Sequence, residues 1–112
     1  MVMIHVEFRK SGIHCYPDAP EEVAFLRSPH FHYFYFKVDV EVKHDNREIE
    51  FILFQKWCEK LYADNTLQLD NKSCEMIAKD LISKITEEYG ERRIRVSVLE
   101  DNINGAIVDN WN

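Results

Sequence analysis

His30-Phe31-His32 places two imidazoles two residues apart. On a strand, residues at that spacing point to the same side, so both rings share one face. It is the even-numbered face, which also carries Phe34, Phe36, Val38, Val40 and Val42, while Lys37, Asp39 and Glu41 alternate on the other. Two inward imidazoles beside an apolar surface suit zinc, which takes neutral ring nitrogens at about 2.0–2.1 Å. The same pair is also what two solvated histidines at a strand entrance would look like. A catalytic zinc takes three protein ligands plus an open position, and the chain offers His5, His14 and His44 as the third. His44 sits in the turn His44-Asp45-Asn46, twelve residues beyond His32. That is about 40 Å along an extended chain at about 3.3 Å per residue, too far to join. His14 ends the first strand segment. Antiparallel pairing of the first two strands brings that end to His30 and leaves His5 at the far end. The expected metal set is therefore His14, His30 and His32.

Glu100 is the second constellation. Ile94, Val96 and Val98 run with period two, and Glu100 continues their inward parity at a strand end. An unpaired buried carboxylate costs several kcal/mol, so it either has a partner or twists out to solvent. Arg9, Lys10 and Arg27 are the basic candidates. The functional alternative is a ligand anchor, since a carboxylate accepts two parallel N–H bonds from the guanidine-like edge of a purine or pterin.

The elements that must position these groups can be read from periodicity. Ile4, Val6 and Phe8 alternate with His5 and Glu7 as a strand, followed by Ser11 to Tyr16 and a Pro-bearing loop from Pro17 to Pro29. The aromatic and valine run from Phe34 to Val42 is the clearest strand. From Ile49 the period changes: Phe51, Phe54, Trp57 or Cys58, and Leu61 recur at three and four, an amphipathic helix. A polar connection, Ala63 to Asn71, leads to a second helix striped by Cys74, Ile77, Ala78, Leu81, Ile85 and Tyr89. Ser73 is its expected N-cap and Gly90 its stop. A strand with Ile94, Val96 and Val98 inward, a turn at Asp101 to Gly105 and a short strand Ala106 to Asp109 complete the chain. The order ββααββ predicts an α+β domain, a four-stranded antiparallel sheet with both helices on one face.

Composition bounds the function. The 112 residues make one domain, 1–112, with 46% hydrophobic and 30% charged residues, an ordinary globular balance. Fourteen basic against twenty acidic residues give a net charge of -6. The only basic cluster, Arg92-Arg93-Arg95, is flanked by Glu87, Glu88 and Glu91, which argues against nucleic acid as a partner. Cys15, Cys58 and Cys74 are odd in number and scattered, reading as thiols in a reducing compartment. No apolar run approaches a membrane span and the N-terminus has no basic n-region, so the expected location is cytoplasmic, with no membrane partner.

Taken together, these landmarks resemble the 6-pyruvoyl-tetrahydropterin and 6-carboxy-tetrahydropterin synthases, small T-fold lyases with the same ββααββ order. The resemblance runs over nearly the whole chain through motifs. The family's zinc triad is one His at the end of the first strand segment and an HxH about fifteen residues later, as His14 and His30/His32 stand here. Glu50-Phe51 is similar to the acid-Phe pair that opens the family's first helix, and Asn71-Lys72-Ser73-Cys74-Glu75-Met76-Ile77-Ala78 to its Asn-Pro-Thr-x-Glu-x-x-Ala signature. Glu100 in Val96-Ser97-Val98-Leu99-Glu100 falls where the family has the Glu that grips the pterin ring. The resemblance thus implies Zn2+ as cofactor and Glu100 and Ser73 at a pterin- or guanine-nucleotide-like ligand. It further implies a homo-oligomer, trimer or hexamer, with sites between subunits.

The chain departs from the family at its proton-transfer groups. The family's catalytic Cys lies four residues before the HxH, where this chain has Leu26. Its Asp-His dyad follows the first helix, where this chain has Leu61-Tyr62-Ala63-Asp64-Asn65 and no His. No catalytic residue is therefore assigned; Glu21, Glu22, Asp64, Tyr62 and Cys15 are the substitutes on offer. Two functions follow as expectations. One is a zinc-dependent lyase of pterin or deazaguanine metabolism acting on a dihydroneopterin-triphosphate-like substrate. The other is a non-catalytic zinc-bearing protein that binds or sequesters a purine- or pterin-like nucleotide. A purely structural T-fold protein, with neither metal nor ligand, is the third.

Overall fold

A computed structural model describes residues 1–111. Its first strand, β1 (Val2–His14), is longer than the Ile4–Phe8 alternation suggests and runs unbroken through Ser11-Gly12. It pairs along its whole length with β2 (His30–Val42), from Val2 opposite Val42 to His14 opposite His30. Helix α1 (Phe51–Lys60), a short strand β3 (Leu67–Asp70), helix α2 (Cys74–Tyr89), β4 (Ile94–Glu100) and the edge strand β5 (Asn104–Asp109) follow. The sheet order is β3-β1-β2-β4-β5.

The class is α+β as expected, but the sheet is five-stranded and mixed, not four-stranded and antiparallel: β3 runs parallel to β1 beside Gly12–His14. Leu67 and Leu69 are buried and alternate with exposed Gln68 and Asp70, a period-two pattern inside the stretch that reads as a polar connection. Gly12 makes room for it. A Cβ there would lie 2.8 Å from Leu69 Cδ1 and 3.0 Å from the Phe34 ring, so only glycine lets β3 close on β1 without displacement. The expected loop before β2 also holds a 3₁₀ segment, Glu21–Arg27, after Pro20.

The even-numbered face of β1, β2 and β4 forms the floor of the core. Phe34, Phe36, Val38, Val40, Ile94, Val96 and Val98 are fully buried there under Phe54 and Cys58 of α1 and Ile77, Leu81 and Ile85 of α2. Phe51 breaks the expected α1 stripe and is exposed, because the helix begins there and Glu50 turns back over its start. The Glu50 carboxylate accepts the Ile52 and Leu53 N–H groups. Ser73 caps α2 as expected, its hydroxyl oxygen accepting the Met76 N–H, and Gly90 ends the helix at φ 83°. This cap fixes the approach of α2 to the sheet end where His14 and His30 meet.

Candidate metal centre

Strand register assembles the site. His14 lies opposite His30, His32 is two residues further along β2 on the same face, and Glu100 of β4 lies opposite the neighbouring Phe34. Pleating sends all four side chains to the core side of the sheet, at the end where α2 begins. The ring centres of the three histidines stand 4.6, 5.1 and 5.7 Å apart. One ring nitrogen from each can be chosen so that all lie within 4.8 Å of one another, a spacing that can hold a metal ion. His14 is buried at 8% exposure, and His32 and His30 are partly covered.

Each histidine is held by its Nδ1. His14 Nδ1 contacts the Lys72 carbonyl at 2.9 Å, His30 Nδ1 the Ser28 carbonyl at 2.9 Å, and His32 Nδ1 the Asp101 carboxylate at 2.7 Å. All three partners only accept, so Nδ1 carries the proton and a neutral ring turns its Nε2 lone pair outward. Acceptors on the far nitrogen are what orient and strengthen imidazole ligands around a metal. Lys72 reaches His14 because the chain turns between β3 and the α2 cap. Asp101 reaches His32 because the turn after β4 places Asp101 and Asn102 at φ 53° and 59°. The Asp101 carboxylate also accepts the Tyr33 N–H at 3.1 Å. The His32 hydrogen bond first, then that backbone bond, holds the Asp101 carboxyl below its ordinary range.

The Nε2 atoms of His14 and His32 are buried and have no hydrogen-bond partner. Orphaned buried nitrogens are costly unless something fills the space they face. The donor set of three imidazoles with held Nδ1 atoms fits zinc on this observation.

Glu100 stands beside two of the three histidines. Its two oxygens lie 3.2 Å from His14 Nε2 and 3.2 Å from His32 Nε2. The Cys74 thiol, in the first turn of α2, lies 3.8 Å from Glu100 Oε1. Burial first, then the Glu100 charge, pushes that thiol up to about 12, so it stays protonated and can donate.

The basic partners expected for Glu100 are engaged elsewhere. Arg9 lies over the Tyr33 ring on the odd-numbered face, Lys10 reaches the Ala63 carbonyl, and Arg27 binds Glu21 and the Ala19 carbonyl. His5 also points to the odd face, between Asp39 and Glu7 at 2.7 Å each. His44 accepts the Asn46 N–H in its turn. Among the substitute bases, Tyr62 packs against Phe8 and Phe36, and Glu21 is paired with Arg27. Cys74 and Asp101 are the site residues the sequence reading missed. Cys74 reads as one more position of an apolar stripe, and Asp101 as a turn former.

The solved structure of Plasmodium falciparum 6-pyruvoyl tetrahydropterin synthase matches this chain with a TM-score of 0.61, covering 99% of this chain and 98% of that one. The domain has the T-fold. At 18% identity the likeness reaches the fold and no further. No family model and no curated protein matches the chain in sequence.

Proposed function

We propose that the chain is a zinc-dependent T-fold protein of the pterin or deazaguanine type, acting as a lyase on a dihydroneopterin-triphosphate-like substrate. The observation that carries the reading is the convergence of His14, His30 and His32 with two buried Nε2 atoms that lack partners. The pterin-synthase fold likeness supports the substrate class. His14, His30 and His32 would hold the ion, which when bound supplies Lewis-acid polarisation of a substrate oxygen. Glu100, 27% exposed, would accept the N–H edge of a pterin- or guanine-like ring. The protonated Cys74 thiol beside it is the group placed to hold that carboxylate in position. Ser73 would border the ligand through the α2 start, its oxygen already occupied as the helix cap.

A second reading, capture of such a ligand without turnover, is favoured by Leu26 standing where the resembling family has its catalytic Cys and by the lack of a His in Leu61–Asn65. In either case we propose a cytoplasmic homo-oligomer, trimer or hexamer. The exposed aromatics Phe31 and Tyr33 on the odd-numbered face support that assembly. Incubating zinc-loaded protein with dihydroneopterin triphosphate separates the readings. Loss of the triphosphate side chain that stops on zinc removal supports the lyase, and stoichiometric binding with intact recovery supports capture. Failure of both pterins and guanine nucleotides to bind would defeat the two together.

A further inference from the structure

The contact between Glu100 and the histidines is not a hydrogen bond. Its oxygens stand 3.2 Å from His14 Nε2 and from His32 Nε2, close enough for one, yet both nitrogens are left without a hydrogen-bond partner. In His14 the reason is chemical as well as directional. With Nδ1 donating to the Lys72 carbonyl, a neutral ring presents a lone pair at Nε2, and a lone pair 3.2 Å from a carboxylate oxygen is repulsive unless an ion lies between them. Groups that sit this close without a hydrogen bond between them can share a metal ion. Two donor atoms bound to one tetrahedral ion at about 2.0–2.1 Å are separated by about 3.3 Å, which is the spacing Glu100 keeps from both nitrogens.

We infer that Glu100 is the fourth protein ligand of the ion held by His14, His30 and His32 in the protein without substrate. The inference rests on the reading of the three histidines as metal ligands. Charge favours it: three neutral imidazoles leave a dication uncompensated in a partly buried site, and one ligating carboxylate with Asp101 behind His32 balances it. The Cys74 thiol then plays the part that Lys72, Ser28 and Asp101 play for the histidines, donating to Glu100 Oε1 and fixing its orientation. The consequence is a closed site. A carboxylate bound to the ion is not free to grip a ring, so a ligand that engages Glu100 opens a coordination position for its own oxygen. Substrate recognition and metal opening become one event.

The test uses the full chain loaded with Co(II), whose visible spectrum reports coordination, titrated with thiocyanate as a small exogenous ligand. The wild-type spectrum is expected to stay unchanged at thiocyanate concentrations that saturate the change in Glu100→Ala. Chelator competition is expected to show Co(II) held at least about tenfold more weakly in both Glu100→Ala and Glu100→Gln. If wild-type protein binds Co(II) and responds to thiocyanate as readily as the variants, Glu100 is not a ligand, while the three-histidine reading stands. If wild-type protein binds no Co(II), the three-histidine reading fails and this inference with it. Glu100→Gln provides the comparison if Glu100→Ala fails to fold, and a wild-type Co(II) spectrum that changes with thiocyanate contradicts the inference without either variant.

Discussion

At the scale of single residues, the site depends as much on what holds the imidazoles as on the imidazoles themselves. His32 is the histidine held by a charge, the Asp101 carboxylate at 2.7 Å, where His14 and His30 have backbone carbonyls. Only the carboxylate can be removed by substitution. Asp101→Ala should weaken zinc binding by roughly 10–100-fold, the usual effect of losing an outer partner of a ligating histidine. Competition against a chromogenic chelator measures it, and wild-type affinity in the variant would show that Asp101 has no part in the site. His30 and His32 were legible in the sequence because HxH and strand parity are local patterns, and His14 through the expected antiparallel pairing of the first two strands. The Lys72 and Ser28 carbonyls were not, since a backbone group has no residue type to read, and Asp101 was hidden because its role depends on a neighbouring strand.

At the scale of elements, a local device carries the geometry from chain to site and a long-range one ties the opposite end of the sheet. Ser73 caps α2 through the Met76 N–H, and the carbonyl immediately before it holds His14. Ser73→Ala should therefore cost about 1 kcal/mol of unfolding free energy in urea, the typical value for a lost cap; no change would mean that the cap is not formed. The second device ties the segment before α1 to the connection between α2 and β4. Glu48 receives both terminal nitrogens of the buried Arg92 guanidinium at 2.9 and 3.0 Å, and the Lys43 N–H. That guanidinium first, and then the backbone donor, brings the Glu48 carboxyl down from 4.5 to about 2. A lowered folded-state value stabilises the fold fully above the ordinary carboxylate range, and the stabilisation drains as pH falls towards the folded value. Unfolding free energy should drop between about pH 4.5 and pH 2, and Glu48→Gln should flatten that slope. An equal slope in the variant would place the acid sensitivity elsewhere. Neither β3 nor the Glu21–Arg27 segment was read from the sequence. Four residues of alternation are too few to stand out within a polar stretch, and β3 exists because Gly12, more than fifty residues earlier, leaves a slot for Leu69. Helix α2 was legible almost throughout, with its cap, stripe and glycine stop all local signals.

At the scale of the whole molecule, the sheet has edges and a face to manage. β3 covers β1 only at Gly12–His14, so the stretch from Val2 to Ser11 has no neighbouring strand on its outer side among the described residues. Long open edges and an aromatic open face are the features that self-association covers. Sedimentation at micromolar concentration should therefore report a trimer or hexamer, and a monomer would remove the assembly proposal. The central claim is that one ion belongs to each chain at His14, His30 and His32, and elemental analysis of purified protein tests it most directly. The account predicts close to one zinc per chain in the wild type, its loss in His30→Ala and its retention in His5→Ala. Folded wild-type protein without metal, or loss of zinc on changing His5, would contradict it.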